Sequence, residues 1–175
     1  MNSPFTHQRP QQAWAHRQGK LQMRPLQPAD WTPEALSVRA QVADAFYRFA
    51  MAWDEIQVDV LCSCFTADAV FESSEGSATA FMSLRGHDEM RAELSSRMEY
   101  QSDQRRHIMT DVLVEELDLG QGTASALAQC VVTATGEDLV LAASVIYTAE
   151  LRLEDDGCWR FSYFFVGMDR YLERA

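Results

Sequence analysis

Four long stretches of alternating apolar residues fill the second half of the chain, and the turns between them are tight. Ile108, Val112, Val114 and Leu117 mark the first stretch; residues 124–135, 139–153 and 159–166 hold the others. Gly120-Gln121-Gly122 follows the first and Asp155-Asp156-Gly157 precedes the last. Long strands joined by Gly/Asp turns predict an antiparallel meander. A chain committed to such a sheet must cover one face of it, and the first half supplies the cover. Thr32-Pro33-Glu34 is a helix start: a capping hydroxyl, proline at the first helical position, and an acid near the positive end of the dipole. Val38, Val42, Ala45, Phe46, Phe49 and Met51-Ala52 follow at helical spacing, which predicts a helix ending near Asp54. A second, shorter helix fits residues 58–65, with Leu61 and Phe65 on one face. Residues 69–72 read as a short strand, 73–78 as a polar turn and 81–84 as a partner strand. Residues 86–100 read as a third helix, with Met90, Leu94 and Met98 every four residues. Helices first and strands after predict an α+β domain with the helices on one face of a curved sheet.

Residues 1–31 differ from the rest. They are rich in Gln, Pro and Arg and show no apolar periodicity, and Pro4, Pro10, Pro25 and Pro28 break any helix. They read as an N-terminal extension ahead of one domain over 32–175. The net charge is −11, which excludes nucleic acid as a partner because phosphate binding needs a basic footprint. Residues 1–30 nevertheless carry Arg9, Arg17, Lys20 and Arg24 against Asp30 alone. This basic tail either stays solvated or folds back onto the acidic body or a neighbouring subunit, as a docking arm would.

Apolar residues make up 47% of the chain, enough for a full core without disulfide staples. Cys62, Cys64, Cys130 and Cys158 include no CxxC pair and no Cys/His set at metal-ligand spacing. Cys62 and Cys64 lie too close along a helix to pair with each other. Reduced, mostly buried cysteines are expected, and no apolar run reaches signal-peptide or membrane-span length. Those two features predict a cytoplasmic protein without a membrane partner. Lys20 is the only lysine, so the acidic body offers no amine for a Schiff base.

Five pieces now stand in order. A helix ends in Asp54, and Phe65-Thr66-Ala67-Asp68-Ala69-Val70 follows eleven residues on. Gly86-His87-Asp88-Glu89-Met90 starts a helix, and Arg106-His107-Ile108 with Asp111-Val112 opens a strand. Ala143-Ser144-Val145-Ile146-Tyr147 begins a long strand, and Asp156-Gly157-Cys158-Trp159-Arg160-Phe161 closes the series. In this order they resemble the SnoaL-like branch of the nuclear-transport-factor-2-like superfamily, over roughly residues 35–170. The resemblance implies a conical α+β half-barrel, a curved antiparallel sheet wrapped around the N-terminal helices and enclosing a deep pocket. Enzymes of that superfamily include dehydratases, dehydrochlorinases, isomerases, epoxide hydrolases and polyketide cyclases. They work with side chains alone, without metal or organic cofactor. Other members are non-catalytic, such as the small subunit of ring-hydroxylating dioxygenases. In the dehydratase branch, an Asp at the position matching Asp54 orients a His at the position matching His107.

The residue types fit that chemistry. Histidine titrates near neutrality, so it can take a proton from carbon and return it. A neighbouring carboxylate sets the ring tautomer and stabilises the imidazolium. An acid at a helix C-terminus is disfavoured by the dipole, which marks Asp54 for a special role. Alternation puts His107 on one strand face with Met109 and Asp111, opposite Ile108, Thr110 and Val112. Tyr47, Trp53, Phe71, Tyr147 and Phe164 are candidate substrate-binding residues, with Phe81, Met82 and Met168 as further lining; all of them also suit a plain core. His87 reads as an exposed residue at a helix start. Phe49, Ile146 and the aromatic run Tyr163-Phe164-Phe165 depart from the basic or phenolic residues that many catalytic relatives carry, so the pocket lacks a cationic anchor. The leading expectation is a cofactor-independent lyase or isomerase on a small to medium hydrophobic molecule. The alternatives are a polyketide- or terpenoid-type cyclase in the same pocket, and a non-catalytic oxygenase subunit or ligand-binding protein. The fold further implies a homo-oligomer, dimer or trimer.

Overall fold

The chain forms α1 (Trp14–Arg17), α2 (Pro33–Asp54), α3 (Val58–Ser63), β1 (Phe65–Glu75), β2 (Met82–Arg85) and α4 (Gly86–Glu99). The long strands β3 (Gln104–Asp118), β4 (Thr123–Thr135), β5 (Leu139–Leu153) and β6 (Trp159–Tyr171) complete it. This computed structural model describes residues 11–26, 28 and 30–171, except the side chain of Tyr171.

α2 begins where local chemistry demands. Thr32 Oγ1 accepts the Ala35 N–H at 3.3 Å, and Pro33 fills the first turn. Its buried stripe runs from Val38 through Phe46 and Phe49 to Asp54. α3 stops at Ser63 instead of running to Phe65, because Phe65 turns into the core as the first residue of β1. β1 extends well beyond the expected 69–72, taking in residues 73–75 of the segment read as a polar turn. Gly86 joins β2 to α4 at φ +72, where a Cβ would stand 3.1 Å from the Ala67 carbonyl oxygen, so glycine is needed there.

The sheet order is β2-β1-β6-β5-β4-β3, open at both ends. β3 to β6 form the expected antiparallel meander. β1 and β6 pair in parallel, which brings the first and last strands side by side and sets Phe71 against Phe164. Register shifts in the three meander pairs bend the sheet over the helices. The shift between Thr110 and Leu113 carries Asp111 at φ 51. It resets the alternation: Val112 packs inward against the core that His107's neighbour Met109 also meets, and Asp111 lies exposed. The face assignment read from simple alternation is therefore corrected beyond Thr110.

The inner face is a close-packed aromatic core. Phe164 is central, with ring centroids 4.5 Å from Phe161, 4.7 Å from Phe49 and 5.2 Å from Tyr147. The outer face carries part of the N-terminal extension, and here the expectation of a helix-free tail is corrected. The single turn α1 is too short to show periodicity, yet it places Trp14, 3% exposed, with Ala15 against Phe165. A Cβ on Gly167 would come within 2.8 Å of the Trp14 ring, so glycine lets the indole lie on the strand. Trp14 Nε1 donates to Asp169 at 2.6 Å, and Thr148 Oγ1 donates to the Lys20 carbonyl at 2.6 Å. Lys20 Nζ sits 3.2 Å from Glu72 and 4.4 Å above the Phe165 ring. Burial pushes the Glu72 carboxyl up, but hydrogen bonds from Tyr163 and Lys20 outweigh it and hold the group below its ordinary value. The strap continues to Arg24, which pairs with Glu116 at the far end of β3. Among the described residues no helix is long and apolar enough to cross a membrane.

Candidate functional site

Asp54 is the last residue of α2, and His107 is the fourth of β3. Helix and strand meet so that one carboxylate clamps one residue twice. His107 Nδ1 lies 2.6 Å from Asp54 Oδ1, and the His107 backbone N–H donates to Oδ2 at 2.9 Å. The side chains are only 10% and 6% exposed. Gln104 Nε2 donates to the Asp54 carbonyl at 2.9 Å, closing the helix end that the dipole leaves electron-rich. Arg106 pairs with Glu55 at 2.5 Å on the outside of the same junction.

This geometry selects a tautomer. A carboxylate only accepts, so Nδ1 is the nitrogen that carries a hydrogen toward Asp54, and whenever the ring is neutral its lone pair is on Nε2. Among the described residues nothing hydrogen-bonds Nε2. A base held in one tautomer, with its other nitrogen free and little water around it, is chemically able to take a proton from a bound molecule.

The other candidates are placed unevenly. The Trp53 ring meets His107 edge to face at 6.3 Å and Phe49 at 6.2 Å. Its indole nitrogen is buried and, among the described residues, has no hydrogen-bond partner. Tyr147 is buried on β5 against Phe46 and Phe49. Burial first, then Cys130 and the charge of Asp54, push its phenol well above the ordinary value, so it stays protonated. Phe71 and Phe164 stack on each other at 6.0 Å within the core. Tyr47 does not join them: it is 46% exposed, on the face of α2 opposite the buried stripe. Met82 and Met168 are partly buried against the core, and Phe81 is exposed. His87 is not simply an exposed cap residue, since its Nε2 lies 3.0 Å from the Phe65 carbonyl and ties α4 to β1.

Sequence reasoning did not single out Gln104, Cys130 or Ser73. Gln104 gave no signal, since a lone polar residue at a strand start is common. Cys130 lies on the inner face beside Tyr147 and near Asp54. Ser73 Oγ is buried without a partner among the described residues, in a segment read as a turn. Two hollows, of about 150 and 410 Å³, lie on the surface. The first is lined by outer-face residues including Thr110, Gln129, Ser144 and Asp169, and the second by residues around α3 including Ile56 and Arg91; neither includes Asp54 or His107. Among the described residues no three His, Cys, Asp or Glu side chains gather to hold a metal ion.

The thiols give a direct check on how dry this interior is. Burial pushes Cys64 and Cys130 up to about 12 and raises Cys62, whereas Cys158 is exposed. A thiol reagent at about pH 8 is expected to label Cys158 and spare the other three until the protein unfolds. The unfolded thiols ionise near 9 and the buried pair only near 12. Their contribution to stability is therefore whole below about 9 and is lost as pH rises toward about 12. Urea midpoints at about pH 8 and about pH 10.5 read this, and equal midpoints would refute it.

A sequence profile described as a SnoaL-like domain matches residues 34–164. No curated protein sequence matches significantly. Among solved structures, the beta subunit of a putative aromatic-ring-hydroxylating dioxygenase from Novosphingobium aromaticivorans is similar at TM-score 0.69 and 17% identity, covering 81% of this chain and 95% of that one. ActVI-ORFA from Streptomyces coelicolor is similar at TM-score 0.65 and 17% identity, over 76% and 98% of the two chains. A Catenulispora acidiphila protein in complex with S-DNPA is similar at TM-score 0.66 and 23% identity, over 77% and 95%. At these identities the structural likenesses speak for the fold.

Proposed function

The chain belongs to the SnoaL-like family of the nuclear-transport-factor-2-like superfamily, and from that premise we propose that it is a cofactor-independent lyase or isomerase acting on a small to medium hydrophobic molecule. One observation carries the reading: Asp54 grips both Nδ1 and the backbone N–H of His107 and leaves Nε2 free in a nearly dry setting. In this reading Nε2 removes a proton from carbon, and the imidazolium that forms faces a carboxylate 2.6 Å away. The proton then returns to another carbon, or to a departing hydroxyl as water leaves. Low local polarity strengthens the Asp54–imidazolium attraction.

A screen of hydrophobic hydroxy and carbonyl compounds for solvent deuterium incorporated at carbon tests this. Wild-type protein is expected to exchange at least one compound, and His107→Gln to lose about 10²–10⁴-fold of that rate with the fold intact. Exchange surviving in His107→Gln removes the mechanism. A cyclase would use the same pair, and open-chain product from Asp54→Asn would identify it. The non-catalytic reading draws on the ring-filled interior, and co-purification with a larger oxygenase subunit would support it.

Within this reading residues 32–175 form the functional unit, and residues 14–24 of the extension are a strap over the outer sheet face. Self-association as a dimer or trimer would use the uncovered part of that face, where Ile108, Leu113 and Val131 are exposed.

A further inference from the structure

We propose that the Trp53 indole N–H binds a carbonyl oxygen of the substrate beside His107, which makes the substrate a carbonyl compound with a removable hydrogen on the adjacent carbon. This rests on His107 being the base and narrows what that base acts on. The Trp53 nitrogen is closed off from solvent and has no acceptor among the described residues. Folded proteins seldom keep such a donor unpaired, so an orphan at a candidate site points to an absent partner. The same chain shows the ordinary outcome elsewhere: the Trp14 indole donates to Asp169 at 2.6 Å. Phenylalanine could pack against Phe49 without bringing an unpaired donor.

Position gives the orphan its meaning. Trp53 precedes Asp54 on α2, and its ring stands edge to face with His107 at 6.3 Å. The indole is thus a direct neighbour of the imidazole whose Nε2 would meet the substrate. Arg39 Nε and Ser73 Oγ are also buried without partners, but neither residue has a ring contact or hydrogen bond with His107 or Asp54. Partly buried Met82, Met109 and Met168 surround the core, and unbranched side chains of this kind rearrange readily to admit a ligand.

The chemistry needs this donor. When Nε2 takes the hydrogen as a proton, the C–H electron pair becomes a carbon–carbon double bond and the carbonyl π pair moves onto oxygen. A donor already aimed at that oxygen stabilises the charge as it develops. The enolate then collapses by taking a proton back at the same carbon, or at the far end of a double bond conjugated with it where the substrate carries one, or by expelling a β-hydroxyl that the imidazolium protonates. The indole keeps its own hydrogen throughout, so its role is indifferent to pH.

Protein labelled with indole ¹⁵N is titrated with 1-tetralone and, separately, with tetralin, which has the same rings and no carbonyl. The Trp53 N–H resonance, assigned by its loss in Trp53→Phe, is expected to move downfield with 1-tetralone and to stay in place with tetralin. Trp53→Phe is expected to slow deuterium uptake next to the 1-tetralone carbonyl by about 10²-fold. A resonance unmoved by 1-tetralone, or moved equally by tetralin, overturns the proposal. Exchange lost in His107→Gln beside an unmoved Trp53 signal sinks this proposal alone. A shifted Trp53 signal with exchange intact in His107→Gln sinks the base assignment instead.

Discussion

Phe164→Ala is expected to lose about 3–5 kcal/mol of folding stability, the range for emptying a large aromatic site that cannot collapse. Phe164 has no exposed surface and lies within 6.0 Å, centroid to centroid, of six aromatic rings. Those rings come from α2, β1, β5 and β6, so no single element can shift to fill the gap. Many tilted and edge-to-face pairs also lose their partner at once. A domain of this size typically holds only about 5–15 kcal/mol in total, so the variant sits near the edge of folding. Urea unfolding at neutral pH measures it. Tyr47→Ala, on the exposed face of α2, is the control and should change stability by less than about 0.5 kcal/mol. A loss below about 1 kcal/mol in Phe164→Ala would mean that the interior is looser than the ring contacts describe.

Asp54→Asn is expected to reverse the tautomer of His107. The carboxylate accepts from Nδ1 and from the backbone N–H with its two oxygens. An amide keeps one oxygen and replaces the other with a donor. The backbone N–H has no alternative role, so the amide oxygen turns to it and the NH₂ faces Nδ1. Nδ1 must then accept, the ring hydrogen moves to Nε2, and the lone pair that would take a substrate proton is gone. The near-isosteric change leaves packing intact, so the fold should survive. Deuterium exchange is expected to drop by about 10²–10⁴-fold. Ring ¹⁵N shifts of His107 report the tautomer without any substrate, so the two halves of the prediction are read separately. An unchanged tautomer would show that Asp54 does not orient the ring. A reversed tautomer with full exchange would remove Nε2 from the chemistry.

What a few neighbouring residues decide was readable directly. Thr32, Pro33 and the apolar spacing from Val38 to Phe49 specify a helix that starts and ends as expected, because caps and a 3.6-residue period act within a turn or two. Alternation and the Gly/Asp turns specify the meander for the same reason. Asp54 and His107 were singled out by residue type, helix-end position and resemblance, and the structure brings them into contact.

Other features depend on groups far apart in the chain and left no local mark. The β1–β6 pairing joins the first strand to the last, and nothing within either strand says parallel. Trp14 finds Asp169 across 155 residues, through a bare glycine on β6 and a helix too short to show a period. The bulge at Asp111 turns Val112 inward against the two-residue rule, because curvature over the helices outweighs ideal alternation. Trp53 could be read as core or pocket wall. Only the assembled interior shows an indole nitrogen that packing hides and that no atom among the described residues satisfies, since burial and pairing are properties of the surroundings and not of the residue.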